Sequence, residues 1–481
     1  MNFLIWFVTA VKFTGYPYSL DFGEGILLVQ SSMLMNGENI YPPISDYPYM
    51  VSNYHPLYPF LAGLPFLFSN PGLWSGRLIT LLSAIGSMVL IGKIVFRSTK
   101  RIELGMLAAL LPLCLSFTYN WAFIYRVDFL GVFLSLSGLY LYMYPRKKGG
   151  IHLSIIPFAL AFFTKLNFIL APIACLIDLF YKKDSGRGKY LLFLILCIGI
   201  PYLLLNLITG FGMFMHTLVY TANIFHLDRM VEGYREILEY TLPIWFVIVI
   251  GVSVSNSKHK ILLLSYLILL MLGLGTYGAE GSDSNYFLEL LFVLPIAGLI
   301  WFPGFLTETK SETNIAAGFR FDWLALILIA LFCLSGRLNH AADFGEARRL
   351  SQLVESGQQI DSFVSSCPGE VISEDLTFLA KNNKKMLFQP YIMSLLSRKG
   401  KWDQTTFVND LSEKRFKLII LRFNVNDEYH TDNPEVYGTA GFDRFTIEME
   451  KAISENYLMF GPVNMGSNSW YLYKPVTQKE N

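Results

Sequence analysis

Long apolar runs recur through this chain and Lys and Arg gather at their boundaries, a pattern that leaves little room for any fold made in water alone. The runs fall at about residues 3–14, 73–96, 103–118, 129–145, 151–164, 167–181, 190–209, 240–256, 260–276, 286–304 and 321–337. Basic clusters sit between them: Lys93, Arg97, Lys100 and Arg101; Arg146 to Lys148; Lys182, Lys183, Arg187 and Lys189; Lys258 with Lys260; and, most sparsely, Lys310 with Arg320. Charged residues are 16% of the chain and hydrophobic ones 53%, against roughly 25% charge in soluble domains. The pattern predicts a polytopic α-helical membrane protein of about eleven spans. Several runs are short for a hydrocarbon core of roughly 30 Å, so polar-ended turns must extend them.

Loops rich in Lys and Arg stay on the cytoplasmic side. By alternation the N-terminus lies inside, the C-terminus outside, and the segments around 16–55, 120–128, 165–167, 210–239, 278–285 and everything after Arg337 face outward. Residues 3–13 have no basic segment before them and no small-residue cleavage site after, and read as a short first span rather than a secretory leader. Pro56, Pro59 and Pro65 interrupt the next apolar stretch, which reads as a helix dipping into the outer leaflet.

The sequence divides into a membrane part, 1–338, with an outer loop at 15–72, and a soluble outer α/β domain, 339–481. A helix is expected over 345–364, strands over 370–373, 386–388 and 418–423, and a hairpin pairing 457–463 with 469–473. Net charge is +1, which gives no reason to expect a nucleic-acid partner. A single cysteine, Cys367, falls in the outer domain, too few for a disulfide there.

Charged residues in the outer segments are the candidates for chemistry. Asp21 and Glu24 lie three apart where the chain enters a helix, a spacing that serves equally as an N-cap pair or as two carboxylates on one face. Arg126 and Asp128, in "YRVD", stand at the lip of a span; they form either a mutual ion pair or an Arg fork for phosphate with an acid to orient it. Lys165, in "TKLN", either snorkels to the headgroups or supplies a second cation. Asn285 and Glu289 open span ten, and Glu289 lies a full turn inside an apolar run, where an acid is costly without a role. The histidines show no zinc spacing. Oxygen ligands from Asp21, Glu24 and Asp128 leave a divalent metal open as a cofactor.

The order of the outer acidic pair, "NGENIYPP", "YHPLYPFLAGLPFLF", the "GR" opening span two, "YRVD", "TKLN" and "SNYFLEL" resembles the GT-C polyprenyl-phosphate-sugar-dependent glycosyltransferases, on the branch of protein mannosyltransferases and lipid A aminoarabinose transferases. The resemblance covers about residues 15–300. It implies a transferase that takes a sugar from a lipid-phosphate donor to a glycan, lipid or protein acceptor at the extracytoplasmic face of a membrane, expected to be the bacterial inner membrane. It also implies a catalytic base in the first outer loop. Family members often carry adjacent Asp-Glu there; "DFGE" leaves Asp21 and Glu24 competing, with Asp21 favoured as first after the span. Arg126, Asp128, Lys165, Tyr54, His55, Asn285 and Glu289 become the substrate-binding candidates, and Arg77 a weaker phosphate or structural cation.

Two other classes fit the span count. A transporter or flippase would place ionisable groups near the midplane, often in two related halves, and no related halves are visible. A membrane anchor displaying the outer domain leaves the paired charges of the outer loops unexplained.

Overall fold

The computed structural model describes residues 2–146, 150–221, 224–308, 343–426, 444–466 and 468–476. The expected eleventh span, the cluster of Lys310 with Arg320, Lys147 and Lys148, and the boundary at 338/339 lie outside the described residues. The N-terminal part runs α1 (Asn2–Thr14), α2 (Phe22–Met35), α3 (Leu57–Gly63), α4 (Trp74–Thr99), α5 (Ile102–Leu110), α6 (Ser116–Trp121), α7 (Asp128–Met143), α8 (Ile155–Phe162) and α9 (Leu170–Tyr181). It continues with α10 (Arg187–Ile208) and α11 (Leu227–Val254), then α12 (Lys260–Gly273) and α13 (Leu288–Glu308).

Among the described residues, five helices are long and apolar enough to cross a membrane: α4, α10, α11, α12 with its 3₁₀ extension to Gly278, and α13 with the 3₁₀ turn that starts it at Ser284. The other apolar runs among the described residues form helices of 10–17 residues or break into shorter pieces. Pro112, for instance, falls in a 3₁₀ turn that ends the helix begun by α5, because proline lacks the N–H that an α-turn requires. One expectation falls short. The α11 helix begins at Leu227 rather than near 240, since Asp228 and the charged stretch after it continue the helical repeat beyond the apolar run.

Burial explains the arrangement. The apolar window of Ser284–Phe302 is 94% buried and that of α10 only 17%. An all-round apolar helix that is buried is a central one; α13 accordingly packs against α4, α7, α11 and α12. On α10 the residues Leu192, Ile195, Leu196, Leu203 and Leu207 are exposed, a large apolar face that suits lipid contact. The α3 helix is a short one packed on α2 and α4.

In the C-terminal part, α14 (Asp343–Ser366) precedes β1 (Val371–Ser373), β2 (Leu418–Leu421), β3 (Tyr457–Met465) and β4 (Asn468–Pro475). They form one sheet in the order β1-β2-β4-β3, with β1 and β2 parallel and the other pairs antiparallel. The "LIIL" run is its central, wholly buried strand. Residues 386–388 do not join this sheet. Their backbone pairs instead with the loop between α2 and α3: Tyr49 N donates to Leu387 O at 2.8 Å and Gln389 N to Tyr49 O at 2.9 Å. The loop therefore packs against the C-terminal part, where Tyr49, Trp402 and Phe407 are buried together with Tyr47 packed against them.

Candidate active site

The α2 helix starts with a complete capping box. Asp21 takes the N–H of Gly23 at 2.9 Å, and Glu24 takes that of Asp21 at 3.3 Å. The two acids then part company. Glu24 is fully buried against an equally buried Arg77 of α4. Arg77 Nε reaches Glu24 Oε1 at 2.8 Å and Nη2 reaches Oε2 at 2.7 Å. Its remaining donors go to the carbonyls of Phe13, Tyr16 and Tyr18 at 2.8, 2.6 and 2.7 Å, so all five guanidinium N–H groups are used. Glu24 also accepts the backbone N–H of Leu20 and of Tyr125, both at 2.6 Å. One ion pair thus ties the end of α1, the start of α2, α4 and the turn before α7 to a single point.

Asp21 stays accessible, with 28% of its side chain open. Its Oδ1 takes Gly23 and Arg126 Nη1, the latter at 3.1 Å. Desolvation pushes the carboxyl pKa up, and the Arg126 guanidinium opposes that shift. Arg126 lies over the ring of Trp121 at 5.1 Å, donates through Nη2 to the Tyr54 hydroxyl at 3.1 Å, and leaves its buried Nε unpartnered among the described residues. Gly23 makes this approach feasible, because a Cβ there would sit 1.8 Å from Arg126 Nη1.

Asp128, in the first turn of α7, favours that helix end electrostatically and anchors a second set. Its Oδ1 takes Lys165 Nζ at 2.9 Å and Asn285 Nδ2 at 3.0 Å. Lys165 turns inward, its ammonium 4.2 Å from the Tyr286 ring centre and 5.8 Å from that of Tyr54. Neither bland alternative from the sequence holds in this region: Arg126 and Asp128 do not pair with each other, and Lys165 does not snorkel. Tyr54 stands between the two cations. Buried Asp128 Oδ2, Asn285 Oδ1 and Arg126 Nε all lack partners among the described residues, and unsatisfied polar atoms gathered in one place suit a bound polar group or water.

Glu289 and His55 lie off this centre. Glu289 Oε1 accepts the Tyr266 hydroxyl at 2.6 Å, within the helix packing. His55 is buried among Phe162, Phe163 and Tyr202, with Nδ1 2.6 Å from Phe162 O; burial lowers its pKa to about 4, leaving it neutral. The metal option from Asp21, Glu24 and Asp128 is corrected: each faces its own cation, and among the described residues no three His, Cys, Asp or Glu converge as ligands. The sequence reading missed Trp121 and Gly23; the Trp in "NWAFIYRVD" was the available signal for the first.

The C-terminal part grips the segment carrying Asp21. Tyr18 donates to Asp361 at 2.7 Å, Ser19 to Asp375 at 3.0 Å, and the Arg444 guanidinium lies 3.8 Å from the Phe22 ring centre.

This arrangement of helices, loop and C-terminal sheet is shared in fold with solved structures. Among solved structures it matches ArnT from Cupriavidus metallidurans bound to undecaprenyl phosphate, with a TM-score of 0.64 and 11% identity over 99% of this chain and 97% of that one. The same protein in its apo state gives 0.61 and 10% identity, covering 98% and 96%. The oligosaccharyltransferase of Archaeoglobus fulgidus, in complex with Zn and sulfate, gives 0.50 and 10% identity, covering 99% of this chain and 73% of that one. No family model matches the chain, and no curated protein matches it in sequence.

Proposed function

We propose that the protein is an integral-membrane glycosyltransferase that moves a sugar from a polyprenyl-phosphate donor to an acceptor hydroxyl at the extracytoplasmic side, with inversion. The observation that carries this reading is the row Asp21, Arg126, Tyr54, Lys165 and Asp128: one accessible carboxylate followed by two cations with donors to spare. Likeness in fold to a protein bound to undecaprenyl phosphate supports the donor class. In this reading the crossings number about eleven, the C-terminal part lies outside, and the membrane is the bacterial inner one.

Asp21 Oδ2 removes the acceptor proton as the acceptor oxygen attacks the anomeric carbon. The bond from that carbon to the phosphate oxygen breaks with its electron pair, and polyprenyl phosphate departs. Arg126 Nε and the two N–H groups of Lys165 not used by Asp128 receive the charge that develops on phosphate. Such preorganised donors act where charge appears, and a positioned base contributes roughly 10²- to 10⁴-fold. Glu24 and Arg77 serve as the structural tie that fixes the loop. A conduit reading gains less support, because the paired charges cluster at one end of the helices rather than along a path through them.

The test is transfer by the purified protein from a panel of radiolabelled polyprenyl-phosphate sugars; no transfer with any member, under conditions where the protein is folded, overturns the reading. Within it, Tyr54→Phe removes the acceptor that steadies Arg126. The expected loss is roughly tenfold in kcat/KM for the donor, the worth of one charged hydrogen bond of about 1.4 kcal/mol. An unchanged kcat/KM would place Tyr54 outside the phosphate site.

A further inference from the structure

At the opposite end of the helix bundle from Asp21 lies a polar cavity, of about 600 Å³, where α4 ends, α7 ends and the loop joining α11 to α12 returns. It is lined by Arg97, Lys100 and Lys258 with Tyr144, Ser257 and His259, and no lining residue carries a negative charge. None of the three cations has a carboxylate partner among the described residues. Arg97 lies 4.6 Å from the Tyr144 ring centre and donates to the Tyr140 hydroxyl at 2.8 Å; the other face of this wall is His259, 5.7 Å from Tyr144 ring to ring.

His259 is the independent observation. It is only 7% exposed, and both of its ring nitrogens are buried without a partner among the described residues. Two unsatisfied nitrogens in one buried ring are costly unless a ligand or water meets them. Burial first, then the charges of Lys258 and Lys182, push its pKa down to about 4.

We infer that this cavity is an anion site that takes a phosphate group at the cytoplasmic face, the phosphodiester of an anionic lipid of the inner leaflet or a soluble phosphate. Three cations converge on a pocket open beside exposed apolar helix surface, and basic pockets between helices on that side suit anionic headgroups. Binding there would link the ends of α4 and α7, which carry Arg77 and Asp128 further along, to the loop before α12. The inference stands apart from the transfer reaction, and its test does not use turnover.

The full-length protein is placed in nanodiscs of phosphatidylcholine with phosphatidylglycerol, released, and its retained lipid counted by native mass spectrometry; in a second arm, inorganic phosphate is titrated against its thermal midpoint. The wild type is expected to retain phosphatidylglycerol, with at least tenfold loss in Lys100→Ala/Lys258→Ala and no loss in Lys183→Ala/Lys189→Ala, on the same face but outside the cavity. Lys100→Gln/Lys258→Gln and His259→Leu repeat the test should the alanine pair fail to fold. Lipid retention lost only with the cavity residues assigns the lipid source; a phosphate-dependent rise in midpoint lost with the same residues, without lipid retention, assigns the soluble one. Equal loss in both sets of variants, or no difference from wild type with either probe, overturns the site.

Discussion

Asp21→Asn is expected to lower transfer by roughly 10²- to 10⁴-fold, the range a positioned base supplies, while leaving the protein folded. Asn caps a helix about as well as Asp, so the bond from Gly23 N survives and α2 starts where it did. What disappears is the basic oxygen, Oδ2, and the negative partner of Arg126. Rates measured with a radiolabelled donor, beside a melting curve of the same preparation, separate the two effects; a variant that keeps a third of the wild-type rate would remove Asp21 from the reaction. The pH profile adds a second reading. Asp21 must be ionised to act, and desolvation holds its pKa above that of an ordinary aspartate. Activity is therefore expected to fail, as pH drops, earlier than an exposed aspartate would allow. Arg126 lowers that pKa, so Arg126→Ala is expected to move the acid limb to still higher pH, on top of its loss of phosphate contacts. A limb that stays in place would mean that the titrating group is not Asp21.

Much of this site was legible because charge in an apolar chain is conspicuous. Arg126, Asp128, Lys165 and Asn285 stood out by type and position, and the structure brings them into one row. Pairing was not legible: side chains separated by tens of residues choose partners through helix packing, which spacing does not encode. Arg126 therefore reached back to Asp21 rather than forward to Asp128. His55 shows the opposite failure, since an outer-loop histidine beside Tyr54 invites a polar role, yet its ring turns into an aromatic nest on α8. In the C-terminal part, the "LIIL" strand and the hairpin followed from period and turn residues. The stretch 386–388 had the same composition as a strand, but its partner was the edge of the outer loop, a tertiary pairing that no local pattern announces. Gly23 left no mark either: its importance is the space it leaves for a guanidinium 103 positions later in the chain.

Glu24 and Arg77 are expected to give the largest loss of stability of any exchange in the membrane part. Both are fully buried, and the pair satisfies five guanidinium donors and several backbone N–H groups at once. Removing one partner leaves a charge buried and uncompensated, at about 3 to 5 kcal/mol. Arg77→Met and Glu24→Ala should each lose most of the monodisperse peak on heating well below the wild-type midpoint, and yield little folded protein. The double change Glu24→Gln/Arg77→Met removes both charges, and exchange of a whole buried pair costs less than breaking it; it should melt above Arg77→Met alone. This cycle also divides the roles of the two acids. If Glu24 were the base, Glu24→Gln would melt normally and be inactive, whereas a structural Glu24 gives a destabilised variant whose remaining folded fraction still turns over. Asp21→Asn should show the reverse, a normal melt with the reaction gone, and only that crossed pattern assigns the proton to Asp21.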